Sequence, residues 1–207
     1  MEEKKLEEAL DEIRKTKERK FDQTVELIIN LKKFDIKRYS VNTFITLPNK
    51  IKDKKTCGFL EMHTDLIDTI PKAAFLKYKD KKELKKLVKK YDFFISSSNN
   101  MPAVATVFGR VLGPSGKMPS PKLGIILQEN NEEIKKVLEK INNSIKIQTK
   151  EPSIKIPVGK TTMPNKSICD NIRYAYNYIV NELPNNKENV KSIMIKLTMT
   201  KPIKIKI

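Results

Sequence analysis

Lys196, Thr198, Thr200, Lys204 and Lys206 fall on one face of any β-strand that runs through the closing stretch SIMIKLTMTKPIKIKI. The opposite face collects Ile193, Ile195, Leu197, Met199, Ile203, Ile205 and Ile207. Ammonium groups and short hydroxyls donate to phosphate and ribose oxygens, and the face carries no carboxylate, imidazole or thiol for acid–base or nucleophilic chemistry. The stretch therefore predicts half of an RNA-binding surface. Near the other chain end, Val25, Leu27, Ile29 and Leu31 alternate with Thr24, Glu26, Ile28 and Asn30, a second strand with Thr24 and Glu26 on its more polar face. An acid on a basic surface is counterproductive unless it accepts from a base edge, a 2′-hydroxyl or a lysine such as Lys196. A simple orienting salt bridge is the plainer role for Glu26.

Other chemistries find no support. Cys57 and Cys169 sit in apolar surroundings without CxxC spacing, which predicts buried thiols and neither a disulfide nor a metal site. His63 is the only histidine and has no partner at ligand spacing. The loop GRVLGPSGKMPSP invites comparison with a phosphate loop, where glycines let backbone amides converge on an anion. Val111 stands where the first P-loop glycine belongs, Met118 replaces the Ser or Thr after Lys117, and the segment follows a helical pattern instead of a strand. A nucleotide-dependent enzyme using the Gly113–Lys117 loop is the rival reading. A non-enzymatic protein without cofactor or metal is the expectation, with Arg110 and Lys117 open as a secondary RNA contact.

The 207 residues hold 42 Lys and Arg against 25 Asp and Glu, a net charge of +17 that attracts polyanions. Only five of those cations are Arg, and with so much Ile and Asn part of the lysine load reflects composition bias. No run of 18 apolar residues occurs, and the start MEEKKLEEAL is acidic and helical, which predicts a cytosolic protein with neither membrane span nor signal peptide.

The elements that must position these residues follow from periodicity. Leu6, Ala9, Leu10 and Ile13 predict an amphipathic helix up to about Arg19, and Val41 to Leu47 a strand ending at Pro48. Thr56 to Met62, Ala73 to Tyr78 and Asp92 to Ser97 read as strands, with a turn or short helix at Asp65 to Ile70 and helices over Asp80 to Lys90, Pro102 to Leu112 and Asn131 to Asn142. Such alternation predicts a parallel sheet with crossover helices. Ile154 to Val158 is again a strand, and Ile168, Ile172, Ala175, Tyr176, Ile179 and Leu183 stripe a helix that starts near Pro164. A terminal strand needs partners from the chain's beginning, so the expected fold is α/β with two domains. A split α+β domain takes 1–54 and 153–207, and an inserted α/β domain takes 55–152. The 153–207 segment has 10 Lys and Arg against 3 acids, which agrees with a binding face there.

The start KFDQTVELIINLK, the loop GRVLGPSGKMPSP and the end VKSIMIKLTMTKP resemble the ribosomal protein L1 family in its archaeal form, in the family's order along nearly the whole chain. The resemblance implies a Rossmann-like inserted domain and binding of the split domain to the mobile stalk of large-subunit rRNA. It also implies stalk movement that helps deacylated tRNA leave the exit site, repression of the protein's own mRNA, and a monomer off the ribosome in the cytoplasm. By motif it carries the RNA contacts onto Lys20, Phe21, Thr24 and Glu26, and onto Lys196, Thr198 and Met199. By the family's layout, Lys160 in VGKTTM lies in a turn beside them.

Thr24 and Thr198 suit 2′-hydroxyl and phosphate contacts, while Phe21 either stacks on an unpaired base or ribose or plugs the core. Two positions depart from the family. Its closing Thr-Met-Gly is here Thr198-Met199-Thr200, where a β-branched residue crowds any close approach of RNA to the backbone. Asp22 stands where relatives often carry Thr, and a carboxylate facing phosphate would repel it.

Overall fold

Alternation with a period of two builds the sheets, and spacing of three and four residues builds the helices that cover them. The computed structural model describes residues 3–15, 20–36, 38–39, 41–78, 80–149 and 151–205; Arg19, Lys206 and Ile207 lie outside the described residues. In chain order the elements are α1 (Glu3–Arg14), β1 (Thr24–Leu31), β2 (Asn42–Thr46), β3 (Thr56–Phe59), β4 (Asp68–Thr69), α2 (Lys81–Lys90), β5 (Phe93–Ser97), α3 (Met101–Ser115), β6 (Ile125–Ile126), α4 (Asn131–Asn143), β7 (Ser144–Gln148), β8 (Ser153–Lys160), α5 (Asn165–Glu182), β9 (Val190–Leu197) and β10 (Ile203–Ile205). This is the α/β class expected from the sequence. The chain divides into two compact units, Met1–Ile51 with Asn143–Ile207, and Lys52–Asn142.

The first unit carries a four-stranded sheet in the order β10-β9-β1-β8, antiparallel throughout. β1 alternates strictly: Val25, Leu27, Ile29 and Leu31 are buried, while Thr24, Glu26, Ile28 and Asn30 are half-exposed. Leu6, Leu10 and Ile13 of α1 and Ile168, Ile172, Ala175 and Ile179 of α5 join them in one core. Each fully buried Leu or Ile there contributes roughly 1.5–3 kcal/mol. α5 lies so close to β8 that a Cβ on Gly159 would sit 2.8 Å from Ile168 Cγ1. Residues 144–148, which sequence reasoning left unassigned, pair with β2 as β7. Only Ile145 and Ile147 carry an apolar signal there, too few to reveal a strand.

The closing stretch is a hairpin and not the single strand expected. β9 ends at Leu197, the chain turns through Thr198–Pro202, and β10 returns with Ile203 opposite Ile195 and Ile205 opposite Ile193. The turn keeps Ile205 on the buried face, and Pro202, which has no N–H to give a ladder, falls just before β10 begins.

The second unit holds a parallel sheet in the order β4-β3-β5-β6, with α2 leading into β5 and α3 following it. Its core is aromatic: Phe59 stacks on Phe94 at 5.5 Å, and Phe75 meets Phe108 edge-on at 5.1 Å. Residues 72–78 form a 3-10 helix where Ala73 to Tyr78 had been expected as a strand. Pro71 starts the turn by accepting from Ala74 N–H, and Phe75 and Tyr78, three residues apart, share the face toward Phe108. Cys57 and Cys169 are both buried thiols. Burial pushes the Cys57 thiol up to about 12, which makes it inert.

Candidate nucleic-acid interface

The register of β1 brings residues from both chain ends together. Glu26 lies opposite Lys196, on the sheet face away from the core, and its Oε2 is 3.5 Å from the Lys196 ammonium. Of the roles open to Glu26, the neighbouring lysine is the one this geometry occupies. On the other flank Thr24 lies opposite Lys160, beside a bulge at Val25–Glu26 where the β1–β8 register shifts.

At the end of the sheet the three strands are stitched by their own polar groups. The Thr198 hydroxyl accepts from Thr24 N–H at 3.1 Å. Gln23, buried, gives its N–H to Thr161 Oγ1 at 3.2 Å and accepts Met199 N–H on Oε1 at 3.2 Å. Outside this lattice stand two apolar side chains: Phe21 is 53% exposed and Met199 59% exposed. The core-plug role for Phe21 is thereby excluded, because more than half of the residue lies in solvent. Met199 had been expected on the greasy face of a strand; the turn presents it outward instead. Lys20, next to Phe21, is also exposed.

Thr200 does not strain the turn. The described non-glycine residues with positive φ are Lys33 and Asn186, so position 200 needs no glycine conformation. Its hydroxyl accepts from Leu197 N–H at 2.9 Å, and its own N–H bonds Leu197 O at 3.1 Å, closing the end of β9.

Asp22 also has a definite place. Its Oδ1 takes Thr161 Oγ1–H at 2.6 Å and Thr162 N–H at 3.3 Å; its Oδ2 takes Thr162 Oγ1–H at 3.3 Å and the Lys160 ammonium at 3.1 Å. The Thr161 hydroxyl, followed by Lys160, holds this carboxyl below its ordinary range against a modest desolvation. Gln23, Thr161 and Thr162 escaped sequence reasoning because they act in turns, where alternation says nothing. The run of threonines after Lys160 was the one available signal.

Arg110 and Lys117 belong to the second unit. Arg110 is exposed on α3. Lys117 donates to Val88 O and Tyr91 O, both at 2.7 Å, and so caps the carbonyl end of α2. The glycine loop is largely helical: α3 runs to Ser115 and Gly116 closes it at φ 69°, with its N–H turned back to Gly113 O and Leu112 O. Amides satisfied in that way do not converge on a nucleotide phosphate.

Among the described residues no group of three or more His, Cys, Asp or Glu is placed to hold a metal ion, and no helix is long and apolar enough to cross a membrane. The rim thus offers hydroxyls, two ion pairs and two exposed apolar side chains, a surface suited to binding.

Residues 13–201 match the model of the ribosomal protein L1p/L10e family. The large ribosomal subunit protein uL1 of Nanoarchaeum equitans is 33% identical over 95% of this chain and 99% of its own length. Those of Thermofilum pendens and Pyrococcus abyssi are each 32% identical, over 97% and 98% of this chain and 92% and 95% of their own lengths. A match that runs from α1 through β9 and into the turn beyond it covers every element that builds the rim, and the chain belongs to the ribosomal protein L1p/L10e family.

Proposed function

We propose that this chain is a non-enzymatic RNA-binding constituent of the large ribosomal subunit, working in the cytoplasm, and that the rim formed by β1, β8 and β9 binds the stalk region of large-subunit rRNA. One observation carries the reading: Phe21, Thr24, Lys160, Thr198 and Met199, distant in sequence, gather at one end of one sheet with Phe21 and Met199 open to solvent. Phe21 stacks on an unpaired base, the Thr198 region meets ribose hydroxyls, Lys20 and Lys196 meet phosphates, and Lys160 meets one only in the shaped stalk site, a set that fits folded RNA with splayed bases better than a uniform duplex. The relatives' own name, large ribosomal subunit protein, supports this assignment.

The Lys52–Asn142 unit corresponds in this reading to the inserted, Rossmann-like domain of the expected two-domain layout. Off the ribosome the protein is a monomer. Its part in translation is to help deacylated tRNA leave the exit site. A mimic of the stalk site in its own mRNA engages the same rim and represses translation.

Equilibrium binding to a stalk fragment of large-subunit rRNA, beside a scrambled RNA of equal length, tests the reading. A preference of several hundredfold is expected, since specific sites commonly exceed the non-specific background by roughly 10³ or more. Equal binding of the two RNAs would overturn it.

A further inference from the structure

The rim of a protein with net charge +17 is itself nearly charge-matched. Lys160 pairs with Asp22 at 3.1 Å and Lys196 with Glu26 at 3.5 Å, and these four side chains are only 27–33% exposed. The pairs Lys52–Asp92, at 51% and 42%, and Lys90–Asp68, at 64% and 63%, are more exposed. Asp22 also takes the hydroxyl hydrogens of Thr161 and Thr162. The Thr161 oxygen already accepts from Gln23 N–H, so the exposed Thr162 oxygen is the one left to offer a lone pair to solvent. Lone pairs accept from base amino groups and 2′-hydroxyls and offer nothing to a phosphate.

From this geometry we infer that Asp22 is a specificity-determining residue, which withholds Lys160 from indiscriminate phosphate binding and sets the β8–α5 turn to read RNA hydroxyl and amino donors. The inference rests on the RNA-binding reading of the rim. A lysine already paired releases few counterions on meeting a phosphate, because it must first break its pair. A lysine whose counter-charge is removed adds to binding of any nucleic acid, and does so in a salt-dependent way. Asp22 thus exchanges some total affinity for discrimination.

The test is a charge cycle on the intact protein, read as the dependence of log K on log salt for a scrambled single-stranded RNA and for the stalk fragment. Asp22→Asn keeps an oxygen for Thr161 and Thr162 and removes the charge. It should tighten scrambled-RNA binding several-fold at low salt, steepen its salt slope by roughly 0.7, and lower the ratio of stalk to scrambled affinity. Lys160→Met alone should leave the scrambled-RNA slope at the wild-type value, and Asp22→Asn with Lys160→Met should return to it. A thermal melt of each variant reports folding. If Asp22 is only a structural clamp, Asp22→Asn weakens both RNAs by one factor with slopes unchanged, and the inference falls. It falls equally if Lys160→Met alone flattens the scrambled-RNA slope, since Lys160 would then already be acting on the phosphates of any RNA. The RNA-binding reading fails by a different result, equal affinity of the wild-type protein for the two RNAs, so the two failures are separable.

Discussion

Thr24 and Thr198 hold each other from both sides: the Thr198 hydroxyl accepts from Thr24 N–H at 3.1 Å, and Thr198 N–H donates to the Thr24 carbonyl at 3.1 Å. The residues are 174 positions apart, yet this exchange continues the β1–β9 ladder one step past its last paired strand residues, Val25 and Leu197. It fixes the turn that carries Met199, and with it the edge of the rim.

Thr198→Ala removes that acceptor at an exposed site, where water can replace it. The expected loss of fold stability is about 0.5–1.5 kcal/mol, whereas stalk RNA binding should weaken by roughly 1–3 kcal/mol. Thr198→Ser should restore most of both. Denaturation and equilibrium binding of the same three proteins check the split.

Phe21→Ala separates stability from binding more sharply. Because the ring is more than half in solvent, unfolding free energy should change by no more than about 0.5 kcal/mol. Loss of a base stack should cost roughly 1–3 kcal/mol of RNA affinity. A large loss of stability with unchanged RNA binding would return Phe21 to the core.

Thr200→Gly reports on the closing motif. Glycine supplies no acceptor for Leu197 N–H and adds backbone freedom, so the variant should be about 1–2 kcal/mol less stable. Amide exchange at Leu197 should accelerate. Unchanged exchange there would show that the hydroxyl contributes nothing to the end of β9.

The acid dependence of the β8–α5 turn follows from Asp22. Its folded-state carboxyl lies below the ordinary value of 3.8, chiefly through the Thr161 hydroxyl. A depressed pKa means stability that is fully present above the ordinary value and is lost as pH falls through the folded one. Thr161 and Thr162 amide resonances should therefore hold steady from neutral pH down to about 4 and move only below it. Movement near pH 5 would mean that the carboxyl is not engaged as described.

Lys117→Met probes the second unit. It leaves the Val88 and Tyr91 carbonyls without their ammonium and should destabilise that unit by about 1–3 kcal/mol. Binding of stalk RNA through the rim should be unaffected, and a parallel loss would give Lys117 an RNA contact after all.

Strand alternation was enough to put Glu26 and Lys196 on polar strand faces, with Lys196 one of the partners open to Glu26, and to give the buried faces of β1 and α5, because each is a periodic signal over eight or more residues. Leu6, Leu10 and Ile13 of α1 were legible for the same reason. Turns were not. The Thr198–Pro202 reversal keeps the apolar parity of the strands on either side of it, so one long strand and a hairpin read alike. The 3-10 helix at 72–78 was hidden because Ala-Ala-Phe-Leu alternates poorly and the aromatic cluster, a tertiary demand, decides its shape. Asp22 looked like a liability when only its charge was considered. Its four contacts come from three residues, Lys160 at the end of β8 and Thr161 and Thr162 in the turn beyond it, about 139 positions away, which no local pattern reveals.

The central claim is that one rim, built from the ends of β1, β8 and β9, is where RNA binds. The measurement that tests it most directly is an amide NMR titration of the intact protein with the stalk fragment of large-subunit rRNA. The account requires the largest shifts and line broadening at Phe21, Thr24, Lys160, Thr198 and Met199, saturating together. Perturbations that leave these five unmoved and gather in the Lys52–Asn142 unit would contradict it.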